Sequence, residues 1–272
     1  MRVAVISDTH GNLAALEATL EHLSGEYVDQ VVVAGDLVNG AADSVACWRL
    51  IRSLGYPVVR GNHERYVFDL GTPNEEPEWG SELFGPVRWA AARFSPEELD
   101  EMRVLPLRHS MPDYPELLIV HASPHADNQN VLAHTPSSEL EPMFAGSEAT
   151  LIVRGHNHIG NSRTVVERQL VTAGSVGMPL GGTVDAQFLL LERRAGRWRF
   201  EHRAVPYDVG ATLRRFSETG YLAEAGPMAR LLLREIVTGS HQMVPFLRFW
   251  RRVSPDESLP LTDAIDRFLN AY

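Results

Sequence analysis

The chain has 272 residues, enough to bury a sizeable core as one large domain or as one domain with an extension. Hydrophobic residues make up 44% and charged residues 22% of the sequence, which is typical of a globular protein and argues against a disordered or fibrous one. The formal net charge of −10 argues against a general nucleic-acid-binding surface, and because all 25 positive residues are arginine, lysine nucleophiles and Schiff bases are excluded.

The sequence has one cysteine, Cys47, so an intramolecular disulfide is excluded and a reducing compartment is favoured. We interpret Cys47 as a buried packing thiol rather than a nucleophile. The N-terminus lacks a signal-peptide pattern, and no apolar run approaches the roughly 18 residues that cross a bilayer. We therefore expect a soluble, cytoplasmic protein that does not contact a membrane.

Short apolar runs alternate with helical patterns over the first two thirds of the chain. The first run, Arg2–Ser7, precedes leucines at helical spacing, at positions 13, 16, 20 and 23. In chain order, the pattern then predicts a strand over Gln30–Ala34, a helix over Ala41–Leu54, the start of a strand at Pro57–Val59, and strands at Leu117–Val120, Leu151–Val153, Leu170–Thr172, Phe188–Leu191 and Trp198–Val205. Runs that are apolar on both faces predict an α/β layer architecture rather than a barrel of hairpins.

Two segments interrupt this alternation. Asp69–Phe94 contains an acidic, proline-bearing stretch and then a helical pattern, and we interpret it as an insertion that could overhang a site. From Gly210 onward no strand pattern remains, whereas apolar residues recur at helical spacing. The predicted organisation is one domain over residues 1–209 and a helical C-terminal extension over residues 210–272 that packs on the same domain.

Polar side chains with metal-binding capacity follow five of the predicted strands. They are Asp8 and His10 after the first strand, Asp36 after the second, Asn62 and His63 after the third, His121 after the strand at Leu117–Val120, and His156 and His158 after the strand at Leu151–Val153. The carboxyl ends of the strands form the ligand-binding crevice of an open α/β sheet, so these residues are expected to converge. Gly35, Gly61 and Gly155 each precede such a residue, which suits sharp turns and close backbone approach.

The residue types point to metal chemistry. Carboxylate oxygen, imidazole nitrogen and amide oxygen suit Mn, Fe, Zn, Ni or Co, whereas a thiolate site would need cysteines that the chain lacks. A carboxylate can bridge two ions, and Asp36 is the natural candidate. Two ions about 3.5–4 Å apart clamp a phosphoryl oxygen and lower the pKa of a bridging water, which gives a hydroxide nucleophile at neutral pH.

Each element has a plainer interpretation when it is taken alone. An Asp-x-His pair often caps a helix, Asn12 could cap the first helix by itself, and Gly-Asp is a common turn. Arg60 and Arg154 could face phosphate or could equally point away into ion pairs. The five elements in order, each at a strand end, make coincidence improbable for the set.

These residues resemble the calcineurin-like metallophosphoesterases. The resemblance covers about residues 1–205 and rests on Asp8-x-His10, Gly35-Asp36, Gly61-Asn62-His63-Glu64, His121 and Gly155-His156-Asn157-His158. It implies a sandwich of two β-sheets flanked by helices with a dinuclear site. It also implies that Asp8, His10 and His158 hold one ion, that Asn62, His121 and His156 hold the other, that Asp36 bridges them, and that His63 is a catalytic histidine that does not bind metal.

The run after Asp36 narrows the resemblance. Protein Ser/Thr phosphatases and related dinucleoside-tetraphosphate hydrolases carry a Val-Asp-Arg-Gly type run there, whereas this chain has Leu37-Val38-Asn39-Gly40 and lacks the arginine. The chain is more similar to the compact bacterial and archaeal phosphodiesterase branch. Gly174-Ser175-Val176-Gly177 is also similar to that branch and could be either a plain turn or a substrate contact.

We therefore expect metal-dependent hydrolysis of phosphate esters, with phosphodiesters favoured and a metal-bridging hydroxide as nucleophile. The cofactors would be two divalent transition-metal ions, with Mn favoured, and the partner a small phosphate ester, which could be a nucleotide. Alternatives are a phosphomonoesterase or nucleotide phosphatase, a protein phosphatase, and a non-catalytic metal- or nucleotide-binding regulator whose helical tail contacts a partner. A homo-oligomer is compatible with the sequence.

Overall fold

The computed structural model describes residues 1–132, 134–256 and 258–271, and in these ranges two β-sheets pack together with helices on their outer faces. The strands are β1 (Arg2–Ile6), β2 (Gln30–Val33), β3 (Arg108–Met111), β4 (Tyr114–Val120), β5 (Leu151–Arg154), β6 (Asn161–Val165), β7 (Arg168–Thr172), β8 (Ala186–Arg194) and β9 (Arg197–Val205). The helices are α1 (Leu13–Ser24), α2 (Ser44–Leu54), α3 (Asn62–Asp69), α4 (Gly85–Ala91), α5 (Pro96–Arg103), α6 (Ser137–Met143), α7 (Val209–Glu218), α8 (Tyr221–Glu224), α9 (Met228–Thr238), α10 (Met243–Val253) and α11 (Leu261–Ala271).

Both sheets are mixed. The first has the order β2-β1-β8-β9, in which β1 and β2 are parallel and the other neighbours are antiparallel. The second has the order β3-β4-β5-β7-β6, with β4, β5 and β7 parallel and antiparallel strands at both edges. The parallel strands were all predicted from apolar runs, as were the antiparallel strands β8 and β9. The carboxyl ends of β1, β2, β4 and β5 carry polar residues singled out above.

Alternation along β1 explains how the layers form. Val3 and Val5 belong to the core between the two sheets, together with β5 and β8 residues such as Val153 and Leu189. Ala4 and Ile6 belong to a second core, on the opposite side, where α1 and α2 cover the first sheet. A strand buried on both faces reads as a continuous apolar run, which is the pattern that predicted it.

The expected strand at Pro57–Val59 is wrong. Val58 forms only an isolated parallel bridge with Val33, and the chain then enters α3 at Asn62. Proline has no N–H to donate to a sheet, and the turn through Gly61 ends the extended segment before a ladder forms. The predicted helix from Ala41 also begins later, at Ser44.

Strands β3 and β6 were not predicted because their sequences are polar. Arg108–Met111 and Asn161–Val165 alternate between exposed and half-buried residues and lie at the two edges of the second sheet. An edge strand needs little apolar surface, so a search for apolar runs does not find it.

The segment Asp69–Phe94 forms two short 3₁₀ turns and α4. Trp79 is buried against Tyr66 of α3, with ring centroids 5.0 Å apart. On the other side, the Trp89 indole N–H donates to Glu224 of α8 at 3.1 Å. The segment therefore joins α3 to the C-terminal helices.

Helices α7–α9 pack on the metal-binding half of the chain, and α10 and α11 pack on α9. Phe216, Tyr221 and Leu232 share a core with Ala41 and Met178. The Tyr221 hydroxyl donates to the Gly40 carbonyl oxygen at 2.9 Å, next to the loop after β2. Residue 272, the last of the predicted extension, lies outside the described residues, and the boundary at residue 209 stays a prediction. Nowhere in the described ranges is a helix both long and apolar enough to cross a membrane.

Candidate metal centre

The predicted site residues converge at one end of the two sheets. Asp8 and His10 lie in the loop between β1 and α1, and Asp36 lies just after β2. Asn62 and His63 begin α3, His121 directly follows β4, and His156 and His158 lie in the loop after β5. Six of these eight side chains are buried, and His63 and His156 are half-buried.

One group of ligand atoms gathers around Asp8. His158 Nε2 lies 3.4 Å from Asp8 Oδ1 and 3.0 Å from His10 Nε2. His10 Nε2 lies 3.9 Å from Asp8 Oδ1. These three side chains can present one oxygen and two nitrogens to a single ion.

A second group gathers around His121. Its Nε2 lies 3.1 Å from Asn62 Oδ1 and 3.2 Å from Asp36 Oδ2, and His156 completes the cluster. The same Asp36 oxygen lies 3.7 Å from His10 Nε2. Asp36 therefore stands between the two groups, within reach of both.

Backbone carbonyls orient three of the imidazoles. The Nδ1 atoms of His10, His121 and His158 each lie 2.7 Å from a carbonyl oxygen, of Asn39, Ala34 and Met178 respectively. A carbonyl can only accept, so Nδ1 carries a proton, and Nε2 is the atom that faces the centre and would bind an ion in its deprotonated form. Metal-binding histidines typically have this arrangement.

The electrostatics of the centre call for a cation. Burial lowers the pKa of His10 well below its usual range and raises the pKa of Asp8, because both lose contact with water. Burial opposes charge on His121, yet the adjacent Asp36 carboxylate raises the pKa of His121 to about 9. Asp36 thus draws positive charge to this point, and divalent ions would supply it.

His156 gives an independent indication of metal binding. Burial lowers the pKa of His156 to about 2, so the ring is neutral. Its Nε2 is buried and has no hydrogen-bond partner among the described residues. An unpaired buried nitrogen is costly in a native protein and is explained by a bound ion. The oxygen and nitrogen donors present fit divalent metal ions.

Backbone strain is concentrated at the same place. Among the described non-glycine residues, positive φ angles occur at eight positions, and six belong to the site: Asp8, His10, Asp36, Asn39, His156 and His158. Such conformations cost on the order of 1–3 kcal/mol each and persist where the surroundings enforce them. Here each one aims a side chain into the centre from the end of a strand.

Two glycines allow the backbone to lie directly against the carboxylates of the site, as the sequence predicted. A Cβ added at Gly155 would lie 1.9 Å from Ser7 Oγ and 2.6 Å from Asp8 Oδ2. A Cβ added at Gly61 would lie 2.1 Å from Asp36 Oδ1. Any larger residue would displace the carboxylates, so these glycines are needed for packing as much as for turning.

Glu64 is a residue of the site whose role the sequence did not predict. It is fully buried, and its carboxylate accepts from the backbone N–H groups of Asp36 at 2.9 Å, Leu37 at 2.7 Å and Gly61 at 2.8 Å. Burial raises its pKa to about 7, with the nearby Asp36 carboxylate adding to the effect. The sequence did contain one signal for this role, because a glutamate three residues after the helix N-cap, here Gly61, can accept from backbone N–H groups at the start of the helix.

Asn39 is a second such residue. Its amide nitrogen donates to His63 Nδ1 at 2.7 Å. In the neutral imidazole this leaves the proton on Nε2, which lies 4.0 Å from Asp36 Oδ2. In the sequence, Asn39 stood out only because it takes the place of the arginine in the Val-Asp-Arg-Gly type run of the protein phosphatases.

The two arginines left open by the sequence both point away from the centre. Arg154 is fully buried and donates to the Ala122 carbonyl oxygen at 2.9 Å and to Asn157 Oδ1 at 2.6 Å. Arg60 forms an ion pair with Asp127 at 3.3 Å. Both side chains stabilise the loops around the site.

The turn at Gly174–Gly177 is a packing element. Ser175 and Val176 are fully buried, and the Ser175 hydroxyl donates to the Asp8 carbonyl oxygen at 2.8 Å. A Cβ added at Gly177 would lie 1.8 Å from the Thr9 carbonyl oxygen. The turn therefore clamps the loop that carries Asp8, which favours the structural interpretation over a substrate contact.

A cleft with a volume of about 480 Å³ opens beside the centre. His10, His63, His156 and His158 lie at one side of it. Other lining residues come from the loops after β4 and β5 and from α9 and α10. No residue of Asp69–Phe94 lines this cleft in the described ranges, so the insertion is not one of its walls, and its position over the centre stays a prediction.

Comparisons with known proteins agree with this architecture. Residues 1–160 match the family model of calcineurin-like phosphoesterases. An uncharacterised protein of Methanocaldococcus jannaschii is 25% identical over 224 residues, which cover 76% of this chain and 88% of that protein. Two solved structures are similar in fold to this chain. One is a metallophosphoesterase from Sphaerobacter thermophilus, and the other is a hypothetical protein from Pyrococcus horikoshii.

The Sphaerobacter structure has a TM-score of 0.67 at 24% identity and covers 88% of this chain and 99% of its own. The Pyrococcus structure has a TM-score of 0.69 at 17% identity and covers 89% of this chain and 99% of its own. At these identities the likeness establishes the two-sheet fold. The family match covers more than half of the chain and includes every residue of the centre. The chain belongs to the calcineurin-like phosphoesterase family.

Proposed function

We propose that the protein hydrolyses phosphodiesters with two divalent metal ions. The observation that carries this proposal is the position of Asp36 between two groups of ligand atoms. Asp8, His10 and His158 would hold one ion, and Asn62, His121 and His156 the other, with Asp36 shared. When bound, the pair would supply an activated water and neutralise negative charge on the phosphoryl oxygens.

Among the metals that such ligands accept, Mn²⁺ is our first choice. Asp8, Asp36 and Asn62 offer hard oxygen atoms, which Mn²⁺ favours, alongside the imidazole nitrogens that Fe, Zn, Ni and Co share. Cys47, the one cysteine, is fully buried in the core beneath α2 and cannot contribute. Its burial also raises the pKa of the thiol well above the usual range, as expected for a packing residue.

His63 would act as a hydrogen-bond donor to the reacting group rather than as a metal ligand. Asn39 donates to its Nδ1, so the Nε2–H is the group directed to the side of Asp36. From there the Nε2–H would donate a hydrogen bond to a phosphoryl or leaving-group oxygen and stabilise the negative charge that develops in the transition state. A nitrogen that carries a proton has no lone pair to give to a metal.

The charges of the cleft support a diester in preference to a monoester. A phosphodiester carries one negative charge and a monoester close to two at neutral pH. No arginine occurs among the residues described as lining the cleft, and the chain has no lysine, so no side chain there would compensate a second charge. The run Leu37–Gly40 likewise lacks the arginine of the protein phosphatases.

The test compares substrates with the same leaving group on the Mn²⁺-loaded enzyme. We expect kcat/KM for bis(p-nitrophenyl) phosphate to exceed that for p-nitrophenyl phosphate by at least tenfold. The reverse order would assign the protein to the monoesterases. Absence of turnover on both compounds would contradict the enzymatic proposal itself.

His63→Ala tests the hydrogen-bond donor. Removing one donor to a developing oxyanion typically costs about 10²–10³-fold, so we expect kcat to fall by that factor while the metal content stays unchanged. His22→Ala is the matched control, because His22 lies on α1 outside the cleft. Normal turnover of the His63 variant with full metal content would remove the proposed role.

A further inference from the structure

We propose that the cleft beside the metal centre binds the organic group of the substrate, and that this group is a compact apolar alkyl or aryl substituent. Nucleoside polyphosphates would be poor ligands. This inference rests on the proposed phosphoesterase activity and adds a substrate class to it. It also gives the C-terminal helices a role, as one wall of the substrate site.

The wall is built from apolar side chains of separate segments. Leu232 lies on α9, and Met243 and Val244 begin α10. Leu132 and Ile159 come from the loops that follow β4 and β5. The cleft also includes four histidines of the centre, so a phosphate held there would place its ester group along this wall.

Exposure distinguishes this wall from ordinary core. Leu132, Ile159 and Val244 are 44%, 41% and 41% exposed, yet all three line the same cleft. Large apolar side chains scattered singly on a surface need no explanation. Three that meet beside a catalytic centre are the usual mark of a site for an apolar group.

Two polar side chains that line the cleft, Asn157 and Glu235, are already engaged by the protein itself. Asn157 Oδ1 accepts from the Val131 backbone N–H at 3.1 Å, and its amide nitrogen donates to Asn130 Oδ1 at 2.9 Å. Glu235 Oε1 accepts from the backbone N–H of Met243 at 3.0 Å. These side chains hold the walls together and have little capacity left to recognise a base or a sugar.

Charge also argues against polyphosphates. The formal negative charge on the lining is that of Glu235, which is 97% buried and has His241 Nδ1 3.5 Å away. No arginine lines the cleft in the described part of the chain, and the whole chain carries a formal charge of −10. Phosphates beyond the one at the metal centre would enter a region without cations.

The size of the cleft sets an upper limit on the ligand. Its volume of about 480 Å³ lies in the lower half of the range of roughly 300–1,000 Å³ for small-molecule sites. A phosphate with one aryl group or a short alkyl chain fits this space. A dinucleotide would have to extend into solvent.

The experiment measures binding by calorimetry on the Mn²⁺-loaded full-length protein, with methyl phosphate, n-hexyl phosphate and adenosine triphosphate as probes. Full burial of a methylene strengthens binding about fourfold, so five partly buried methylenes should give at least a tenfold lower Kd for hexyl than for methyl phosphate. We expect adenosine triphosphate to bind more weakly than hexyl phosphate. Equal affinities of the two alkyl phosphates, or tighter binding of adenosine triphosphate, would overturn the proposal.

Val244→Arg and Val244→Thr locate the effect. Both should reduce the hexyl-to-methyl preference to less than threefold, because they place charge or a hydroxyl on the apolar wall. Val253→Arg is the matched control: Val253 lies on the same helix, is also 41% exposed and does not line the cleft, so its preference should be unchanged. An intact preference in both Val244 variants would overturn the assignment to this cleft.

Failure of this proposal can be told apart from failure of the proposed function. The binding comparison uses alkyl phosphate monoesters, whereas turnover is measured on a diester, so a protein that hydrolyses bis(p-nitrophenyl) phosphate but shows no alkyl preference contradicts only the substrate class. A protein that shows the preference without hydrolysing any ester contradicts only the enzymatic function.

Discussion

At the scale of single residues, Asn39 fixes the protonation pattern on which the proposed chemistry depends. Its side chain reaches His63 Nδ1, and its backbone carbonyl accepts from His10 Nδ1, so one residue orients two imidazoles. Its φ of +58° is a conformation that asparagine tolerates better than most residues. The side-chain contact can be removed without strain, because glycine adopts the same φ freely.

We expect Asn39→Gly to lower kcat by about fivefold, the value of one neutral hydrogen bond of roughly 1 kcal/mol. The metal content should not change, since the His10 contact uses the backbone carbonyl. Steady-state kinetics and elemental analysis on the same sample measure both. Unaltered kcat with both ions bound would show that His63 holds its tautomer without Asn39.

For Glu64 we predict an effect on stability rather than on kcat. Its two oxygens receive three backbone N–H groups from the loops that carry Asp36 and Asn62. Glu64→Gln replaces one acceptor by an N–H₂ that faces donors, so we expect a loss of about 2 kcal/mol in the free energy of unfolding. Denaturant unfolding of the metal-free protein measures this loss. Glu141→Gln, an exposed glutamate on α6, is the control and should unfold like the wild type. A Glu64→Gln variant of wild-type stability would contradict the clamp.

At the scale of elements, the sequence was informative where a strand carries an apolar run or a regular apolar alternation, and silent where a strand is polar. Parallel strands such as β1 and β5 are mainly apolar and were predicted with their ends within one or two residues. The edge strands β3 and β6 are polar and were not predicted. The segment at Pro57–Val59 is apolar but lies beside one residue of β2 only, so its hydrophobicity was mistaken for a strand.

The C-terminal helices are anchored to the loops of the metal centre. The Tyr221 hydroxyl binds the Gly40 carbonyl, and Thr212 Oγ1 donates to Asn12 Oδ1 at 2.7 Å. Asn12 also caps α1, accepting from the Ala15 N–H at 3.3 Å, as the sequence allowed. We propose that residues 210–272 form part of one folding unit with residues 1–209.

Deletion of residues 210–272 should therefore destabilise the protein. It would uncover Ala41, Met178 and Leu180, which are buried against Phe216 and Tyr221. We expect the truncated chain to be largely insoluble or to lose its cooperative thermal transition. Tyr221→Phe in the full chain, which removes one hydrogen bond, should cost only about 1 kcal/mol. A truncated chain with unchanged Tm and turnover would contradict the single folding unit.

At the scale of the whole molecule, the metal-binding side chains could be predicted from the sequence, whereas the residues that orient them and the cleft beside them could not. Asp8, His121 and His158 could be found because each follows an apolar run, and sheet topology brings the ends of such runs together. The clamp by Glu64 and the contact of Asn39 with His63 depend on how loops pack, which spacing alone does not encode. The cleft depends on α9 and α10, whose docking on the centre brings residues more than 70 positions apart into one site.

The proposed pair of metal ions is tested most directly by titrating the metal-free protein with Mn²⁺ while following the hydrolysis of bis(p-nitrophenyl) phosphate. The placement of Asp36 between two ligand groups leads us to expect activity that rises until two ions are bound per chain and then stays constant. Activity that saturates at one ion per chain, or no hydrolysis at any ratio, would contradict the two-metal phosphodiesterase.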